Sequence, residues 1–95
     1  MKNITWIEKI RVRSSEEALD ESMSLLMDQV KDIEASSPHM ESLFLQHGFY
    51  SGDFSVVLLW SSEAPNEASK EGILIAEIFK RLGPVDHSYW VPVNL

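Results

Sequence analysis

The side chains of this chain best suited to chemistry are three histidines, His39, His47 and His87. Beside them stand three tryptophans, Trp6, Trp60 and Trp90, and two tyrosines, Tyr50 and Tyr89. The histidines come from a loop and two separate strand-like runs, without the local spacing that marks zinc ligands, so no metal site is expected. If His47 and His87 meet inside the fold, a neutral imidazole beside Tyr89 or Trp60 is a proton acceptor for a phenol or a carbon acid. His87 and His47 are therefore the candidate catalytic residues. The aromatic residues suit a cage for a flat ligand, and equally suit core and interface packing, where such side chains are enriched. Arg11 shares a strand face with Lys9 and Arg13 and can hold a ligand carboxylate by two-point contact, or make cross-strand ion pairs. Trp60, Tyr89, His87, His47 and Arg11 make up the expected ligand site. No cofactor is implied. The Lys70-Glu71-Gly72 triplet lacks the Gly-rich turn of a phosphate loop, and with no cysteine the chain has no thiol nucleophile, thiolate metal site or disulfide.

Those residues must be positioned by a chain of 95 residues, 44% apolar and 24% charged, which fits one soluble globular domain spanning 1–95. The net charge of −7 repels phosphate backbones and anionic membrane surfaces, so no nucleic-acid or membrane partner is expected. No apolar leader segment follows Met1 and Lys2, and the longest apolar run, Val56 to Trp60, is too short to span a bilayer. A cytoplasmic location is the expectation.

Residues 4–13 alternate Ile4, Trp6, Ile10 and Val12 with Thr5, Lys9, Arg11 and Arg13, the period of a strand, broken at Ile7 and Glu8. Ser14 and Glu17 have the form of a capping box. The helix they open carries Leu19, Met23, Leu26, Val30 and Ile33 as one apolar stripe and runs to about residue 35. Residues 41–50 and 53–61 read as two strands joined by a tight turn at Ser51-Gly52, with Gly able to take positive φ. The second, "FSVVLLWS", is apolar on both faces, as in a central strand. A second helix over about 66–82 directs Ile75, Ile78, Phe79 and Leu82 inward before Gly83-Pro84, and a last strand covers 85–93.

The order βαββαβ predicts an α+β, ferredoxin-like fold: a four-stranded antiparallel sheet with two helices on one face. Nothing in the chain remains to cover the other face. Yet Val56 to Trp60, Leu43 to Leu45, and Tyr89 with Trp90 cannot all point at the helices. Exposing four to six large side chains forgoes about 1.5–3 kcal/mol each. Dimerisation through the open sheet face is therefore expected, with two-fold symmetry supplying matching patches.

This layout resembles the dimeric α+β barrel superfamily, which includes the antibiotic biosynthesis monooxygenase-like domains. The nearest local match is "FSVVLLWSS", residues 54–62, similar to a third strand that ends in Trp and leads through a loop to the second helix. The resemblance implies sheet-to-sheet dimers and, in one branch, cofactor-independent oxygenation with a Trp at the position of Trp60. Where some members of that branch carry Asn four residues earlier, this chain has Val56. The expected function is a homodimer binding a small, partly aromatic metabolite. The alternatives are a cofactor-independent monooxygenase or isomerase, and a structural or protein-interaction dimer with no small-molecule site.

Overall fold

A computed structural model describes residues 3–93; residues 1, 2, 94 and 95, the ends of the expected domain, lie outside the described residues. The elements are β1 (Trp6–Arg13), α1 (Glu16–Ala35), β2 (Met40–Gln46), β3 (Asp53–Trp60), α2 (Lys70–Phe79) and β4 (Val85–Trp90). They build one four-stranded antiparallel sheet in the order β2-β3-β1-β4. The two βαβ units interleave: β1 lies parallel to β2 across β3, and β3 parallel to β4 across β1. Crossovers of one hand then bring both helices to the same face. The fold is the expected ferredoxin-like βαββαβ.

Strand parity decides what each face carries. Trp6, Ile10 and Val12 from β1 and Phe54, Val56, Leu58 and Trp60 from β3 point toward the helices. There they meet Leu19, Leu26 and Val30 of α1 and Ile75, Ala76, Ile78 and Phe79 of α2 in one buried cluster. Each large side chain in it contributes about 1.5–3 kcal/mol by leaving water. The expected stripe of α1 is the buried one, with Met23 and Ile33 at its margin, and β3 is central as its two-sided apolar pattern required.

The helix-free face changes character along its length. Register aligns Trp90, Ile7, Leu59 and Glu41 in one row across the sheet, then Ser88, Lys9, Val57 and Leu43, then Asp86, Arg11, Ser55 and Leu45, and finally Arg13 and Asp53. One end is apolar, with Trp90 58% exposed; the other is charged. Leu43 and Leu45 stand half-exposed on the β2 edge. This is the uncovered apolar surface that the sequence pattern demanded.

Several local expectations are corrected. The cap of α1 is Ser15, whose hydroxyl accepts from Ala18 N–H at 3.1 Å, and not Ser14. Ser14 is instead tied to the hairpin, its N–H donating to Gly52 C=O at 2.8 Å. The link between β2 and β3 is the longer segment 47–52, and Gly52 does not take positive φ. It is glycine because a Cβ there would overlap the Ser14 carbonyl. α2 begins only at Lys70, behind its cap Ser69, and ends at Phe79, with turn bonds carrying the chain on to Leu82. No helix among the described residues is long and apolar enough to cross a membrane.

Candidate functional site

β1 keeps strict alternation through Glu8, which places a carboxylate between Trp6 and Ile10 on the helix-facing side. Glu8, a break in the apolar alternation expected from sequence, is a core position, 0% exposed. A buried carboxylate is tolerable only when its acceptor oxygens are satisfied, and here they are. Trp60 Nε1–H donates to Oε1 at 3.0 Å, and the Ser69 hydroxyl donates to the same oxygen. Ser69 N–H donates to Oε2 at 3.2 Å, and His87 Nε2 lies 2.7 Å from Oε2.

Each partner is delivered by its own element. Trp60 is the last residue of β3 and pairs with Trp6 across the sheet, so the two indoles stack at 4.9 Å with an interplanar angle of 4°. His87 stands opposite Ile10 on β4, on the same face as Glu8. Ser69 caps α2, its hydroxyl also accepting from Gly72 N–H at 2.9 Å. The carboxylate thus sits at the amino end of a ten-residue helix, where exposed N–H groups favour negative charge. Gly72 completes the fit, because a Cβ there would overlap Glu8 Oε2.

The rim of this cluster is aromatic. Tyr89 opposes Glu8 on β4 and tilts against Trp6 at 5.3 Å. Its hydroxyl donates to Pro65 C=O at 2.6 Å, fastening the segment between β3 and α2 to the β4 edge. Trp6 Nε1–H is buried without a hydrogen-bond partner among the described residues. His87 is the reachable member, with its side chain 19% exposed. An ionised carboxylate can only accept, so Nε2 is the donor in this pair, and in the neutral form of His87 that tautomer makes Nδ1 the acceptor.

The five residues expected to form a ligand site divide into two groups. Trp60, Tyr89 and His87 converge around Glu8. His47 does not join them: it follows β2, whereas His87 is on β4, and β3 and β1 lie between these two edge strands. Arg11 projects from the helix-free face, where its Nε–H donates to Asp53 Oδ1 at 2.7 Å and its Nη2 to Oδ2. The hydrogen bonds from Arg11 hold the Asp53 carboxyl below the usual carboxylate range, and Asp53 in turn raises the Arg11 guanidinium. The cross-strand ion pair is thus the role the geometry gives Arg11. His39 precedes β2 and lends its C=O to Ser61 N–H at 2.9 Å. Val56, at the position where the resemblance implied an amide, is fully buried among apolar side chains.

The residues missed were Glu8, Ser69 and Gly72. For Glu8 the signal was present in the two-residue spacing from Trp6 and to Ile10. Nothing in the local pattern around Ser69 or Gly72 announced that a carboxylate sixty residues earlier would lie against them.

No protein-family model matches this chain, and no curated protein sequence matches it. Solved structures of the same fold do. Rv0793 from Mycobacterium tuberculosis is similar with a TM-score of 0.67 at 12% identity, over 95% of this chain and 96% of that one. A dimeric ferredoxin-like protein from an uncultured marine organism gives 0.65 at 16%, over 98% and 91%. SnoaB, a cofactor-independent oxygenase from Streptomyces nogalater, gives 0.59 at 10%, over 100% and 97%. At these identities the likeness is one of fold.

Proposed function

We propose that this chain forms a homodimeric α+β barrel and that each protomer binds a small, partly aromatic molecule bearing an acidic O–H or C–H beside His87. The observation that carries this reading is the fully buried Glu8 carboxylate 2.7 Å from the partly exposed His87. A carboxylate in a core gives up solvation that an apolar side chain of similar size would not, so stability alone is a poor reason to put it there. Orienting an imidazole is a better one. In the proposed step the ligand proton passes to His87 Nδ1, giving a ligand anion and an imidazolium whose charge Glu8 balances. Tyr89, the exposed ring of the cluster, supplies flat apolar surface at its rim, with the unpartnered Trp6 N–H buried behind it.

Dimerisation is supported by the apolar rows of the helix-free face and by the dimeric protein of the same fold. Covering Ile7, Leu43, Leu45, Leu59 and Trp90, already partly buried in the protomer, recovers a fraction of the about 1.5–3 kcal/mol that full burial of each gives, against an association cost of about 4–15 kcal/mol. Turnover with dioxygen, as in a cofactor-independent oxygenase, is the second reading. Its support is the fold shared with SnoaB together with a proton acceptor able to generate an oxidisable anion.

The test is a titration with 1-naphthol, a phenol of the proposed shape, read by quenching of the tryptophan fluorescence. Saturable quenching that weakens about tenfold in a His87→Gln variant of unchanged fold is the expected result, a loss of one hydrogen bond to a charged group. Equal binding by that variant, or no saturation in wild type, would remove His87 from the site.

A further inference from the structure

Where β1 ends and the segment between β2 and β3 begins, at the opposite end of the helix-free face from Ile7, Leu59 and Trp90, the surface folds into a concavity of about 700 Å³. That volume is within the range of small-molecule sites. We infer that this concavity is a second ligand site, distinct from the Glu8 and His87 cluster, and that it takes a small aromatic carboxylate.

The donors that line it have lost their usual partners to one another or have none. His47 Nδ1 accepts from Phe49 N–H at 3.0 Å and from Tyr50 N–H at 3.2 Å. With Nδ1 so committed, the neutral ring carries its hydrogen on Nε2, a donor that no described hydrogen bond uses. Arg13 is 72% exposed, and its nearest approach to a carboxylate is 3.9 Å, to Asp53 Oδ2, too long for a hydrogen bond. Asp53 is already engaged twice by Arg11, which balances its charge within the wall of the concavity. Ser14, also in the lining, has a buried hydroxyl oxygen without a partner among the described residues. Asp86 stands opposite Arg11 on β4, on the far side of the arginine pair, where a smaller hollow shares Arg11 and Arg13.

An aromatic body accompanies these donors. Phe49 is 91% exposed, an unusual state for a phenylalanine, and Tyr50 packs its ring at 4.9 Å from His47. Donors in excess of acceptors select an anionic, acceptor-rich head, and a planar guanidinium suits two carboxylate oxygens. Phe49 and Tyr50 select a flat ring behind it. In a chain of net charge −7, a hollow of this composition is locally opposed to the overall field and marks an exception to it.

The probe is benzoate, followed by backbone and histidine-ring NMR shifts on the full chain, with benzamide and acetate as partners lacking the charge and the ring. Saturable shifts confined to Arg11, Arg13, Ser14 and residues 47–53 are expected, with both comparison compounds binding at least about fivefold more weakly. Arg13→Gln, at an exposed position, leaves the melting temperature unchanged and weakens benzoate about tenfold, the loss of a charge-assisted contact. His47→Gln provides a second reading of the same site. Benzamide equal to benzoate, acetate equal to benzoate, shifts centred on His87, or no effect of Arg13→Gln would each overturn the assignment. Because 1-naphthol reports on His87 and benzoate on the hairpin, failure of one site leaves the other standing.

Discussion

Removing the Glu8 carboxylate should cost as much as truncating a large apolar core residue, and the reason can be counted bond by bond. Glu8→Ala leaves Trp60 Nε1–H and Ser69 N–H facing a void, while the Ser69 hydroxyl can turn and His87 can reach water. Two buried donors stripped of acceptors cost about 1–3 kcal/mol each, and the emptied side-chain volume adds to this. The two donors alone sum to about 2–6 kcal/mol, a large share of what a domain of this length possesses. At about 4–8 °C per kcal/mol, that loss lowers the melting temperature by about 8–48 °C. Glu8→Gln separates shape from charge. Its carbonyl oxygen can still accept from Trp60 and Ser69, but its NH2 meets the Ser69 N–H, so an intermediate loss of about 1–3 kcal/mol is expected. Urea unfolding followed by tryptophan fluorescence measures all three proteins, since two of the tryptophans lie within the cluster. A Glu8→Ala variant within about 1 kcal/mol of wild type would mean that the four bonds to this carboxylate do not organise the core, and the orienting role assigned to it would fall with them.

Three further outcomes follow from the same geometry. Gly72→Ala should destabilise by about 1–3 kcal/mol, as overpacking does, although alanine is normally the better helix former by about 1 kcal/mol; chemical denaturation giving a stabilised protein would show that Glu8 does not press on the helix. Asp53, with its carboxyl held low by Arg11, contributes stability that is complete above the unfolded carboxylate value of about 3.9 and is lost as pH falls through its lower folded value. Acid titrations of stability should accordingly show a shallower decline for Asp53→Asn than for wild type, and parallel curves would contradict the pairing. Light scattering over a range of concentrations should give a mass near twice that of the chain, and Leu43→Glu, placing a charge on the apolar face, should shift dissociation at least about tenfold; a wild-type monomer at all concentrations would refute the covered sheet.

The pattern of apolar residues sets the element order, because hydrophobic period is a local property. Alternation in Trp6 to Val12, the Leu19 to Ile33 stripe and the two-sided run Phe54 to Trp60 each report the burial of their own element. It also determined that one sheet face would be left apolar, since Leu43, Leu45 and Trp90 had no helix to meet. Boundaries were less legible. Whether Ser14 or Ser15 caps α1 depends on Gly52 approaching Ser14 from the hairpin, and the late start of α2 depends on Ser69 being held by Glu8. The candidate sites arise from contacts that only the folded chain makes. His87 and His47, alike in sequence, are sent to different regions by the β2-β3-β1-β4 order, and Arg11 is turned away from Trp60 by one step of strand parity. Glu8 could be placed on a buried face by counting in twos, but its four partners come from residues 60, 69 and 87. Only the folding of β3, α2 and β4 onto β1 brings donors from such separations to the two oxygens of one carboxylate, and that convergence has no local signature.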